Sequence, residues 1–180
     1  MNHTVDNAVG LDAAIKKIQE EIYPEFQAVW TNDISGYGRV YKNHRGLQKI
    51  PEVFLGTEGD YSDSFYDDSK DANFFFLEDD LHETQDEIVF TSKMKIVFSL
   101  DLTECYAGDD RLDALAHKDA MYILRNIPSS GKYQISGYET GLERIFSGFS
   151  IKGIKEHDLH PTHVFAVLID LRYSLTDKCT

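Results

Sequence analysis

The chain is 180 residues long, enough for one ordinary domain and short for two. Apolar residues make up 42% and aromatics 12%, so a core can form, while four prolines, twelve glycines and two cysteines exclude collagen-like, low-complexity and disulfide-scaffold classes. The net charge is −13, no apolar run reaches the roughly 18 residues of a membrane span, and the first residues lack a secretory pattern.

Leu11, Ala14, Ile15, Ile18 and Ile22 form one stripe of an amphipathic helix, which Tyr23-Pro24 should end or kink. The apolar stretch from Phe26 to Trp30 is too short to type. Gly36-Tyr37-Gly38 reads as a break before a short strand, Arg39 to Asn43. Ile50 to Leu55 is extended, with Pro51 near its start, where an edge strand tolerates it. Tyr61 to Tyr66 alternates weakly, and Phe74 to Leu77 suits a strand.

Thr91 to Leu102 is the clearest strand, with Met94, Ile96, Phe98, Leu100 and Leu102 on one face. A turn at Ala107-Gly108-Asp109 follows, and Asp109 or Asp110 can cap the next helix. Leu112, Leu115, Ala116, Ala120, Ile123, Leu124 and Ile127 form its stripe. Asp119 is the one polar residue at its edge, and Pro128-Ser129-Ser130-Gly131 stops it. Lys132 to Tyr138 and Leu142 to Phe149 read as extended. The last strand, His163 to Leu175, is apolar on both faces in its first half, which predicts a central position. Strict β–α alternation is absent. The pattern therefore predicts a single α+β domain over 1–180: a mixed or antiparallel sheet with two amphipathic helices on one face.

The acid is concentrated. Residues 58–87 hold twelve acidic side chains against Lys70 alone, so most of the net charge lies in a long loop or hairpin excursion. Asp60, Asp63, Asp67, Asp68, Glu78, Asp79 and Asp80 are its expected acidic surface. Such a segment repels a phosphate backbone, which argues against gripping nucleic acid. Phe74, Phe75, Phe76 and Leu77 sit inside it. Leaving them in water costs about 1.5–3 kcal/mol per side chain, so they must pack on the body, another subunit or a partner.

Chemistry does not announce itself. His157, His160 and His163 are spaced H-x2-H-x2-H, a poor match to standard zinc motifs, and read as a polar loop entering the last strand. Cys105 has no neighbouring histidine, and Cys179 is in the tail. Gly36-x-Gly38 lacks the third glycine of a dinucleotide loop, and the run from Asp60 lacks the glycine and glutamate of an EF-hand. His117 reads as a boundary residue of the second helix. No catalytic, cofactor or metal site is predicted. An interaction protein is favoured over an enzyme.

Several segments carry a resemblance. They are Gly36 to Asn43, Ile50 to Gly56, the Tyr61 to Asp68 stretch leading to Phe74-Phe75-Phe76, the Lys93–Leu102 strand, the Arg111–Ala120 helix, His160 to Val167, and a cysteine near the end. Together they are similar to small proteins in the structural gene blocks of tailed phages and prophages of Bacteroidales-type hosts, crAss-like phages among them. The element order resembles phage tail terminator and tail-completion proteins. That resemblance implies a virion structural protein of the head–tail neck, assembled in the host cytoplasm. It implies a homo-oligomeric ring, as terminator or connector, contacting portal or connector and tail-tube proteins, with Phe74, Phe75, Phe76 and Leu77 at an interface between copies. DNA would pass through without sequence-specific binding, and no membrane is involved. The alternative is an acidic interaction module, or a polyanion mimic that inhibits a nucleic-acid-binding protein.

Overall fold

The computed structural model describes residues 1–45, 47–55, 61–64, 70–106, 112–152, 154 and 158–175; the side chains at 44 and 45 also lie outside the description. The short strand β1 (Asn2–His3) leads to the helix α1 (Leu11–Val29). Leu11, Ile15, Ile18, Ile22 and Phe26 are all buried along α1, so the predicted stripe continues past Pro24. Pro24 does not end the helix. Pro24 and Glu20, whose carbonyl loses its helical donor, both lie on the exposed side, while burial of Phe26 and Trp30 beyond them favours continuing.

The next strand, β2 (Ile34–Arg39), continues through Gly36-Tyr37-Gly38, where a break was expected, with a register shift against its partner between Gly36 and Arg39. Glycine serves close approach here. A Cβ on Gly36 would stand 2.6 Å from Phe74 Cζ and 2.9 Å from Asn2 Oδ1. A small antiparallel sheet follows: β3 (Tyr41–Arg45), β4 (Gln48–Phe54) and β5 (Tyr61–Asp63), in that order. The proline-bearing β4 is thus its middle strand and not an edge. Its pairing with β5 begins at Glu52↔Asp63, beyond Pro51, whose carbonyl accepts from the Ser64 N–H and hydroxyl at 3.2 and 2.9 Å.

Two long strands, β6 (Ala72–Thr84) and β7 (Val89–Asp101), then form a hairpin. Leu102 leaves the strand it was assigned to and opens α2 (Leu102–Cys105), because Asp101 Oδ1 accepts from the Thr103 and Glu104 N–H groups at 2.9 and 3.3 Å. The second long helix, α3 (Asp113–Asn126), has Leu112 at its cap position; the expected caps Asp109 and Asp110 lie outside the described residues. A 3-10 turn over Pro128–Lys132 precedes β8 (Tyr133–Thr140). Leu142 to Phe149 is not extended. Leu142, Ile145 and Phe146, at i, i+3 and i+4, bury together, and the chain forms α4 (Leu142–Ile145) from Gly141 at φ 88. The last strand is β9 (Thr162–Ser174).

The main sheet has the order β1-β2-β6-β7-β9-β8. The first three strands are parallel and the others antiparallel, so the fold is α+β on a mixed sheet. Parallel neighbours need long crossovers. One is α1, and the other is the three-stranded sheet. Both amphipathic helices cover the same face, where α1 and α3 pack on Phe74, Phe76, Ile96, Phe98, Phe165 and Val167. The opposite face carries Phe75, Leu77, Val97, Val164 and Ala166 under Val53, Ile145 and Phe146. β9 lies between β7 and β8 and is buried on both faces in its first half, as predicted.

The run Phe74 to Leu77 was expected at an interface between copies. It lies inside the chain. Phe74, Phe75 and Phe76 are 0% exposed, and the run alternates between the two cores as a strand buried on both faces must. Leu77 keeps 4%, so almost no surface of these four residues is left for a neighbour. The window 58–87 is accordingly not one excursion. Its described second half begins as a central strand and emerges only after Glu78.

Candidate functional site

What emerges is an arm. Strand β6 keeps β2 as a partner only to Arg39↔Phe76, while its pairing with β7 continues to Thr84↔Phe90. The register slips between Glu78 and His82, where β6 carries extra residues and Asp80 has φ 56. This bulge turns Asp79 and Asp80 outward. Every residue from 79 to 89 is exposed. Asp79, Asp80, Glu83, Asp86 and Glu87 lie there without a lysine or arginine among them. Between them are Leu81, Ile88 and Val89, at 48%, 63% and 43% exposure.

The tip is nonetheless well bonded. Asp86 Oδ1 accepts the Ile88 and Val89 N–H groups at 3.0 and 2.8 Å, and these bonds hold its carboxyl below the usual range. Thr84 Oγ1 donates to the Val89 carbonyl and accepts from the Glu87 N–H, both at 2.9 Å. Side-chain bonds to backbone of this kind make a tight turn where no core exists.

The root of the arm is a charged chain. Phe74, Phe76 and Glu78 share the face beneath α1, so Glu78 is carried inward with a side chain only 7% exposed. Arg39, at the end of β2, donates from Nη1 to Glu78 Oε2 at 2.7 Å and from Nη2 to Asp12 Oδ2 at 3.2 Å; its Nε lies 2.9 Å from Asp12 Oδ1. Glu78 Oε1 is 2.7 Å from His82 Nε2, and His82 Nδ1 lies 2.8 Å from the Tyr173 hydroxyl. Asp12, Arg39, Glu78, His82 and Tyr173 thus link α1, β2, β6 and β9. Burial by itself would lower the Arg39 pKa, but the Glu78 hydrogen bond and the Asp12 and Glu78 charges outweigh it and hold the guanidinium above its ordinary value. Burial, then the Glu78 charge, raise the Tyr173 phenol. Lys42 reaches from β3 to pair with Asp80.

The other expected residues are scattered. Glu78 is a buried partner and not acidic surface, because strand alternation places it under α1. Asp79 and Asp80 are exposed, Asp63 is half-buried on β5, and Asp60, Asp67 and Asp68 lie outside the described residues. On the opposite face of the sheet, a groove of about 680 Å³ runs past Asp79, Lys93, Lys95, Glu139, Arg144 and Asp170. Lys95 is engaged there by Glu139 at 2.9 Å and by the carbonyls of Arg144 and Ile145.

His157 also lies outside the described residues. His163 meets His117, the residue read as a helix boundary, with Nε2 to Nε2 at 2.9 Å. Burial and then the His163 charge lower the His117 pKa. Among the described residues no three His, Cys, Asp or Glu side chains gather as a metal cluster. Cys105 is buried, and burial with the Asp71 charge pushes its thiol up to about 12, away from nucleophilic use. Asp119, the blemish on the second stripe, accepts from the Tyr106 hydroxyl at 2.8 Å, which in turn accepts from Trp30 Nε1 at 2.8 Å.

Comparison with family models, curated proteins and solved structures finds no match to this chain. No described helix is long and apolar enough to cross a membrane. Sequence reading missed the anchor, since Asp12, Arg39, His82 and Tyr173 are distant along the chain. One signal was present: the alternation Phe74, Phe76, Glu78 puts a carboxylate on a core-facing row, where it requires a cation.

Proposed function

We propose that this chain is a ring-forming structural subunit of a phage head–tail neck, acting as a terminator or connector around the DNA channel. The arm is the element that meets a neighbouring copy or faces the lumen. One observation carries the reading: the arm is held at root and tip, yet presents five carboxylates and three exposed apolar side chains. A rigid projection with Leu81, Ile88 and Val89 uncovered suits burial against another subunit. Carboxylates facing a channel would repel DNA and keep it mobile. The test is the oligomeric state of the purified chain by mass photometry and electron microscopy, with the variant Ile88→Asp. Rings that the variant disperses into folded subunits, with an unchanged circular-dichroism spectrum, are expected. A monomer at all concentrations tested, also absent from phage particles, would exclude the reading.

The acidic-module alternative uses the same surface, on which only Asp80 has a lysine partner from elsewhere in the described chain. A one-to-one complex with a basic protein, in place of rings, would favour it.

A further inference from the structure

We propose that the outward face of α3 receives the arm of a second copy of this chain, an inference that rests on the reading of the arm as an assembly element. Ala116, Ala120, Ile123 and Leu124 turn α3 onto the sheet. On its other side Lys118, Tyr122 and Arg125, at i, i+4 and i+7, make one exposed stripe, and Lys132 is exposed just beyond the helix. Neither carboxylate of α3 belongs to that stripe: Asp113 is half-buried in the first turn, and Asp119 accepts from the Tyr106 hydroxyl. Among the described residues, Lys118, Arg125 and Lys132 have no ion-pair partner. Tyr122 stands among them at 68% exposure.

The arm complements this face in sign and in polarity. Asp79, Glu83, Asp86 and Glu87 are exposed on it, with Leu81, Ile88 and Val89 between them. An exposed aromatic flanked by cations suits a projection that carries apolar side chains among carboxylates. Other exposed cations are less suited: Lys93 and Arg144 share their groove with Asp79, Glu139 and Asp170, so that surface is mixed. With a net charge of −13, two copies repel over most of their surfaces, and a cationic face clear of carboxylates sets the register in which they meet. The two surfaces lie apart on one chain. α3 packs over β9 and β8, where the Tyr133 hydroxyl donates to the Leu124 carbonyl. The arm leaves the sheet from β6 and β7, and its root is tied to β2 and α1 through Arg39. A contact between two different surfaces repeats head to tail and closes as a ring when the rotation permits.

The experiment exchanges the charges in the full chain. Glu83→Lys with Glu87→Lys on the arm, and Lys118→Glu with Arg125→Glu on α3, should each raise the concentration needed for assembly by about tenfold or more in sedimentation velocity, with unchanged circular-dichroism spectra. The chain with all these changes keeps the parent's net charge and should assemble again. In the parent, a carbodiimide should join Lys118 or Lys132 of one copy to Glu83 or Glu87 of another, read by mass spectrometry on mixed isotope-labelled chains; this readout needs no variant. Rings that the α3 changes leave intact, or a folded fully exchanged chain that stays dispersed, would overturn the docking and leave the ring reading standing. A short DNA duplex retained by the parent and lost with the α3 changes, while rings remain, would assign the face to phosphates and overturn the docking as well. A parent that is monomeric at every concentration would overturn both readings.

Discussion

Replacing Arg39 by alanine tests the anchor of the arm. Glu78 is 7% exposed, and Arg39 and Asp12 are each 28% exposed. Removing one partner of a buried pair costs about 3–5 kcal/mol, because the other charge stays desolvated. Arg39 and Asp12 retain some water, which places the expected cost at the lower end, about 3 kcal/mol. For a chain of this length that lowers the melting temperature by about 6–12 °C. Urea and thermal melts measure it. Hydrogen exchange locates it: amides around Glu78 to Ser92 should lose more protection than those at Ile96 to Leu100. Arg39→Met with Glu78→Gln removes both charges and should melt above Arg39→Met alone; with the two single variants it gives a coupling of about 1 kcal/mol or more. If Arg39→Ala melts within about 1 °C of the parent, or the double variant is simply additive, the charged chain does not hold the arm.

Three further outcomes are expected. Cys105, with its thiol pushed up to about 12, and Tyr106 and Tyr133, both raised by burial, keep their protons when folded at pH values where the unfolded chain gives them up. The contribution of these three groups should therefore be constant below about pH 8 and then fall by about 1.4 kcal/mol per pH unit for each, first through Cys105 and above about pH 10 through the two tyrosines; equal urea midpoints at pH 8 and 10.5 would contradict this. In a Cys179→Ser background, a disulfide reagent at pH 8 should modify Cys105 only at the rate of unfolding, and fast labelling of the native chain would show the thiol to be accessible. Gly36→Ala should cost about 1–3 kcal/mol, since its Cβ meets the buried Phe74 ring, whereas Gly131→Ala, with open space around it, should be nearly neutral; equal melts would remove the close-approach role of Gly36.

The sequence by itself determined what depends on near neighbours. The period of the apolar stripes placed α1, α3, β7 and β9, and the cost of wetting four consecutive large side chains required Phe74 to Leu77 to be covered. Local rules misled where packing outweighed them. Burial of Phe26 carried α1 past Pro24, close approach to Phe74 made Gly36 a strand residue, and the contacts of Ile145 and Phe146 favoured a helical turn. Only the tertiary structure decided what covers the phenylalanine run, and the answer is the chain's own two layers. It alone assembled Asp12, Arg39, Glu78, His82 and Tyr173, and brought His117 to His163 across 46 positions. Charge–charge and nitrogen–nitrogen contacts act through space over a few ångströms. Residues from separate strands and helices reach that range only after the sheet order is set, and no spacing along the chain records it.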